Sequence, residues 1–429
     1  MEKRVQQVKT LAGRISPPGD KSISHRAVML NAIAEGTAEI SNYLPSDDVK
    51  STIACLKALG VDIEVGSDRL LVHGVGSSGL SDAQDILDAR NSGTTMRLLS
   101  GLLAPQPFLS TITGDESLLT RPMDRVIVPL RFMGATIWGK NKDGLAPLII
   151  RGTTLHGIRY EMPIASAQVK SAILLAALYA QGSTSITEPV KSRDHTERML
   201  RAMGAALNMS GNEVRLLPPS KPLRSMDVVV PGDISAAAYW LVAGAIHPNA
   251  KIELTGVGVN PTRRGVIDVL VAMGAKIEIE NERKEGGEPV ADIVVESNEL
   301  KGVDIDGDMI PRLIDEIPVL AVAAAMAKGK TTIRDAGELR VKESDRITTT
   351  VTELRKLGAQ VDEMLDGMVI QGTGRLTGAE CDSYGDHRLA MALGVAGIVA
   401  EGDTVVYNAE AVNVSYPGFW DDLNNLSTH

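Results

Sequence analysis

The sequence predicts an α/β chain of two domains, each built from three copies of one helix–strand–helix–strand unit. Three observations lead there. The end of an amphipathic helix, a Gly and an alternating strand follow one another in "CLKALGVDIEV" (55–65), "LRFMGATIWG" (130–139), "LRAMGAALNM" (200–209), "LVAMGAKIEI" (270–279) and "LRKLGAQVDE" (354–363). Gly just past a last helical turn is the expected left-handed cap, and period-two alternation is the strand signal. Roughly forty residues before each copy stands a small-residue helix opened by a polar turn, in a cycle of roughly 70 to 85 residues, longer than common solenoid periods. Six such helices are legible: "GDKSISHRAVMLNAIA", "RNSGTTMRLLSGLL", "SAQVKSAILLAALYA", "GDISAAAYWLVAGAI", "DEIPVLAVAAAMA" and "GDHRLAMALGVAGIVA". Most lead into Gly plus a strand, as in "GTAEISN", "GSTSITE", "GKTTIRD" and "GDTVVYN". The paired "PGD" at 18–20 and 231–233 marks where each domain begins. The expected division is 17–230 for one domain and 1–16 plus 231–429 for the other, with chain crossings near 13–18 and 228–233.

Composition agrees with a large globular chain and narrows its partners. The 429 residues are 44% hydrophobic but only 3% aromatic, so the cores must be aliphatic. The net charge of −10, from 44 basic and 54 acidic residues, argues against nucleic acid or an anionic membrane as partner. Any anionic ligand must be held by a local cluster of cations. The two cysteines, Cys55 and Cys381, lie far apart and form neither a disulfide framework nor a metal-ligand spacing. No metal or organic cofactor is indicated. The N-terminus has no apolar core of signal-peptide type, and the longest apolar runs are too short to span a bilayer. A cytoplasmic monomer is the expectation.

The starts of the small-residue helices carry the chemistry. "PPGDKSISHR" at 17–26 places Lys21, Ser22 and Arg26 in a first helical turn, where added cations are unfavourable unless an anion sits against them. The other starts bring Asn91, Gly93, Thr94 and Arg97; Ser166, Gln168 and Lys170; Ser235; Asp315 and Glu316; and Asp386, His387 and Arg388. Backbone N–H groups, helix dipoles and these side chains together favour carboxylate and phosphate. Simpler readings stand beside this one. Ser22 and Asp315 each suit an N-cap. Asp194…Glu197 reads as a capping box. Lys342 and Arg346 read as a like-charge pair on a solvated helix face, a repulsion that an intervening anion would relieve.

Taken together, "GDKSISHR", "NSGTTMR", "LTRPM", "SAQVKSA", "RVKESDR" and "GDHRLAM" resemble the 5-enolpyruvylshikimate-3-phosphate synthase family, and in particular its divergent second class. The resemblance runs from about residue 11 to the end. It implies the enolpyruvyl transferase fold: a two-domain inside-out α/β barrel of six βαβαββ repeats, three per domain. It also implies transfer of the enolpyruvyl group of phosphoenolpyruvate to shikimate-3-phosphate with release of phosphate. On the matching positions it places Lys21, Ser22, Arg26, Ser166, Ala167, Gln168, Arg193, Asp315 and Lys342 against shikimate-3-phosphate. It places Lys21, Asn91, Gly93, Thr94, Arg121, Gln168, Glu343, Arg346, His387 and Arg388 against phosphoenolpyruvate. Asp315 is then the base on the acceptor hydroxyl, and Glu343 or Lys21 the group that moves the proton at the methylene carbon. His195 is read as structural. One departure is that Val414 and Ser415 stand before Tyr416-Pro417, where some relatives carry a Lys. The rival readings are enolpyruvyl transfer to a UDP-sugar, whose family uses a reactive loop cysteine, and a non-catalytic binder of phosphorylated ligands or RNA ends. Gly93 implies room for a phosphonate mimic such as glyphosate.

Overall fold

The five glycines that close the amphipathic helices all lie at positive φ: 89° at Gly60, 95° at Gly134, 98° at Gly204, 100° at Gly274 and 81° at Gly358. Those that follow the small-residue helices do the same at Gly36, Gly182, Gly329 and Gly402. A side chain is disfavoured in this region, so glycine is what lets the helix stop and reverse into a strand.

The computed structural model describes residues 1–66 and 68–428. Each turn serves the same supersecondary unit. In the clearest copy, strand Leu87–Asp88, helix Gly93–Leu103, strand Leu109–Thr113, helix Asp124–Phe132, and strands Thr136–Gly139 and Leu145–Arg151 follow in order. The first two strands pair in parallel across the helix. The last strand pairs antiparallel with both Leu109–Thr113 and Thr136–Gly139. This is βαβαββ. The same pattern builds the four-stranded sheets holding Thr184–Thr187 and Gly329–Ile333, and also that holding Glu35–Ser41, where the parallel strand is Val228–Val229 from the far end of the unit.

Two sheets are completed from the chain's start. Thr10–Ile15 pairs in parallel with Ala250–Gly258. Glu2–Val5 pairs antiparallel with Thr404–Tyr407, in the sixth copy. After Thr404–Tyr407 that copy has the short 3-10 turn Ala409–Val414 and then helix Phe419–Leu426, which runs straight into strand Ser427–Thr428 with no glycine between them. This explains why the helix–Gly–strand signature appears only five times.

The repeats fall into two units. One comprises Gly19–Val230 with Glu285–Glu288; the other comprises Met1–Pro18, Pro231–Lys284 and Pro289–His429. Residues 17 and 18 thus lie with the second unit rather than the first. The segment 285–288 makes an excursion that the two expected crossings do not include. Its end, Glu288, is buried and takes a 2.8 Å contact from His195 Nδ1, a long-range pairing with no local signature.

Within each unit the small-residue helices are the core and the sheets lie outside them. Ile234–Ile246 and His387–Gly397 are buried along their whole length, and Ile317–Met326 nearly so. In the other unit Lys21–Ala32, Gly93–Leu103 and Ala167–Ala177 are buried beyond their first turn. Alanine and glycine at the contacts let such helices approach closely. A Cβ on Gly101 would sit 2.1 Å from the Ala172 carbonyl oxygen. The "NVSYPGFW" stretch is also core: Tyr416 and Phe419 pack with Tyr239 and Trp240, and Trp420 packs on Phe419. Among the described residues no helix is long and apolar enough to cross a membrane.

Candidate active site

In the unit of residues 19–230, three helix starts bring polar groups together. Asp20 caps Lys21–Ala32 by accepting from Ile23 N at 2.9 Å, so Ser22 is not the cap. Lys21 Nζ donates to Asp48 Oδ2 at 3.0 Å. Arg193 Nη1 reaches Ser22 Oγ at 3.4 Å. Arg26 is buried; its Nε donates to Thr196 Oγ1 at 2.7 Å, Nη2 to Ser171 Oγ at 2.9 Å and Nη1 to the Ser22 carbonyl at 2.9 Å. Desolvation lowers the Arg26 pKa to about 10, offset in part by Glu197, which still leaves it a cation at neutral pH.

The second and third helix starts share one network. Arg97 Nη1 donates to Gln168 Oε1 at 2.5 Å, and Gln168 Nε2 to Thr94 Oγ1 at 2.9 Å. Arg121 has the extended backbone that a following proline requires (φ −81°, ψ 142°). Its Nη2 donates to Asn91 Oδ1 at 2.6 Å. A methyl on Gly93 would come within 2.9 Å of Arg97 Nη1 and 3.7 Å of Arg121 Nη1. Ser166 caps Ala167–Ala177 through Val169 N at 3.4 Å, with Ala167 opening the helix. The supposed capping box at 194–197 does not form. Asp194 instead accepts from Arg198 Nε at 2.8 Å, and Glu197 turns inward to Lys170.

In the other unit the centre is Asp315. It does not cap Ile317–Met326; a 3-10 turn over Ile314–Glu316 precedes that helix, which has no side-chain cap. Three cations surround the buried carboxylate instead. Arg346 Nη1 lies 3.3 Å from Oδ1, Lys342 Nζ 3.8 Å from Oδ1 and Arg388 Nη2 3.8 Å from Oδ2. Arg346 opens the Arg346–Lys356 helix behind the cap Asp345, while Lys342 lies before it in extended backbone. The two are therefore not a like-charge pair on a solvated helical face, as the spacing alone suggested. Arg346 is almost fully buried and also donates to Asp386 Oδ2 at 2.7 Å and Glu343 Oε2 at 2.6 Å. Burial opposes charge on Arg346 and Arg388, but Asp386 and Glu343 on the first, and Asp315 and Glu316 on the second, raise both pKa values further. Burial pushes the Lys342 ammonium down, against the pull of Asp315. Asp386 caps His387–Gly397 through Arg388 N at 2.9 Å, which places His387 and Arg388 at that helix start.

Several supporting residues escaped sequence reasoning. Asp48 sits in an acidic first turn behind the Ser46 cap and reads as ordinary dipole complement. Glu316 is buried beside Asp315, accepting from Ser235 Oγ and lying 3.3 Å from Arg263 Nη2. Arg263 is buried as well, although nothing in its Pro-Thr-Arg-Arg loop marks it so.

A fold of six βαβαββ units, with cations and carboxylates converging at helix starts, defines a class of protein that handles phosphate and carboxylate groups. The chain belongs to the EPSP synthase (3-phosphoshikimate 1-carboxyvinyltransferase) family, whose model matches residues 5–423. A relative from Herpetosiphon aurantiacus, named 3-phosphoshikimate 1-carboxyvinyltransferase, is 57% identical over 422 residues, 98% of each chain. One of the same name from Desulforamulus reducens is 54% identical over 429 residues, 99% of each chain. The solved structure of EPSP synthase from Acinetobacter baumannii superposes with a TM-score of 0.90 at 44% identity, covering 99% of this chain and 98% of that one.

Proposed function

We propose that this protein transfers the enolpyruvyl group of phosphoenolpyruvate to the 5-hydroxyl of shikimate-3-phosphate, releasing phosphate. Family membership over nearly the whole chain supports the reaction. The observation that carries the assignment of roles is the placement of Asp315. A helix-start aspartate would ordinarily cap its helix, whereas this one faces Arg346, Lys342 and Arg388.

The chemistry is addition followed by elimination. In the addition, Asp315 takes the proton of the acceptor hydroxyl as its oxygen bonds to C2 of phosphoenolpyruvate, and C3 gains a proton from Glu343 or Lys21. In the elimination, the C–O bond to phosphate breaks, C3 returns its proton, and the enol ether double bond re-forms. Arg121, Arg346 and Arg388 hold carboxylate and phosphate oxygens and favour the departing charge. Asn91, Gly93, Thr94, Gln168 and His387 complete the phosphoenolpyruvate contacts. Lys21, Ser22, Arg26, Ser166, Ala167, Gln168, Arg193 and Lys342 hold shikimate-3-phosphate.

The cysteines argue against transfer to a UDP-sugar. Both are buried, and burial pushes each thiol up to about 12, far from a reactive thiolate. Two free, buried thiols also suit a reducing cytoplasm. The test is phosphate release with both substrates and with each omitted in turn. Release only when both are present supports the reading; release with a UDP-sugar in place of shikimate-3-phosphate, or none with any pair, sinks it.

A further inference from the structure

Beneath the residues assigned to shikimate-3-phosphate lies an ionic cluster to which the proposed reaction gives no role. Lys170 is one turn into the Ala167–Ala177 helix and has no exposed side-chain surface. Its Nζ lies 2.7 Å from Glu188 Oε2 and 2.7 Å from Glu197 Oε1, both also buried. It is 3.4 Å from the Ser192 carbonyl oxygen. Glu188 in turn accepts from Ser192 Oγ and, at 3.3 Å, from Ser192 N. One ammonium therefore ties together the Ala167–Ala177 helix, the segment after strand Thr184–Thr187 and the His195–Ala202 helix.

A buried ion pair is weak evidence for stability, because desolvation offsets most of its attraction. Its better attested use is to fix one geometry, and the neighbours show which geometry is fixed. Ser171, next to Lys170, and Thr196, next to Glu197, hydrogen-bond each other at 2.7 Å, and both accept from the Arg26 guanidinium. Ser192 immediately precedes Arg193, whose guanidinium reaches Ser22. Glu197 thus adjoins Thr196, an acceptor of Arg26, and Ser192 adjoins Arg193 itself, while Glu188 acts through its hold on Ser192. Burial disfavours charge on Lys170, but Glu197 and Glu188 keep it a firm cation.

We infer that Lys170, with Glu188 and Glu197, is a positioning device for the shikimate-3-phosphate side of the site: it sets Arg26 and Arg193 without touching the substrate. This rests on the proposed reaction. Lys170→Met leaves two buried carboxylates without their cation. It is expected to raise KM for shikimate-3-phosphate about tenfold, within the range of coupling among residues of one network. At saturating shikimate-3-phosphate, kcat and KM for phosphoenolpyruvate are expected to stay within about threefold, the split that marks lost ground-state binding. Glu197→Gln keeps shape and hydrogen bonding, so it carries the same test should Lys170→Met fail to fold; its expected rise is about threefold. Calorimetric affinity for shikimate-3-phosphate should weaken in parallel. A folded variant with lowered melting temperature but unchanged KM for shikimate-3-phosphate would overturn the device and leave the reaction standing. An unaltered protein that neither turns over nor binds shikimate-3-phosphate would overturn both.

Discussion

Asp315 faces three cations rather than the amide groups of its own helix, and this separates its chemistry from its structural role. Asp315→Ala is expected to lower turnover by about two to four orders of magnitude, as loss of a general base does. No cap is lost, and Arg346 keeps Asp386 and Glu343. Lys342 and Arg388 each lose this carboxylate, so the melting temperature is expected to fall by a few degrees while the fold persists. Turnover, shikimate-3-phosphate affinity and melting temperature measured on one preparation decide this; near-normal turnover would move the search for a base to Glu343. Gly93 makes a second case. A methyl there meets the far end of the Arg97 side chain at 2.9 Å rather than backbone, so Gly93→Ala should fold by shifting that guanidinium. Glyphosate inhibition is expected to be competitive with phosphoenolpyruvate in the unaltered protein and weaker in Gly93→Ala. Unchanged inhibition constants would place the phosphonate away from residue 93.

At the scale of an element, the helix–Gly–strand turn carries the architecture, and its copies can be compared. An added Cβ at Gly204 meets nothing within 4 Å, so Gly204→Ala isolates the cost of a positive φ. That cost is about 1–2 kcal/mol, measurable by urea unfolding. At Gly134 the same methyl also lies 3.2 Å from the His156 ring, so Gly134→Ala should cost at least as much. Equal stability of Gly204→Ala and the unaltered protein would mean that the turn tolerates a side chain. These turns were legible because their chemistry is local. The caps were less so: Asp20 caps where Ser22 was a candidate, and Asp194 pairs with Arg198 where a capping box was expected. Acceptors one or two residues apart compete for the same amide groups, and tertiary partners decide which prevails.

For the whole molecule, acid stability should report a buried histidine. His25 is enclosed and accepts or donates one hydrogen bond at Nδ1 with Thr52 Oγ1 at 2.7 Å. Burial, with Lys21 and Arg26 adding to it and Asp48 opposing, lowers its pKa to about 3. In the unfolded chain the ring protonates near pH ~6.5. Between these values the unfolded state binds the extra proton. The stability that depends on a neutral His25 is therefore present above about pH 6.5 and is lost as pH falls toward 3, at no more than about 1.4 kcal/mol per pH unit. His25→Gln should flatten the stability profile between pH 6.5 and 4. A slope as steep as that of the unaltered protein would assign the effect to other groups.

Periodicity, glycine spacing and helix-start composition by themselves determined the α/β class, the repeated unit and the positions where function would gather. Each is a property of residues within one turn or one strand of one another. The tertiary structure alone decided which charges meet. Arg346 finds Asp386 forty positions away, Lys170 finds Glu188 and Glu197 from two other elements, and His195 finds Glu288 93 positions away. It also decided that Glu2–Val5 completes a sheet with Thr404–Tyr407. A buried ion pair leaves no periodic trace in a sequence, because its partners are brought together by the packing of whole repeats. Lys170 therefore reads only as one more helix-start cation, Glu197 as half of a capping box and Glu188 as an ordinary polar residue until the helices between them are in place.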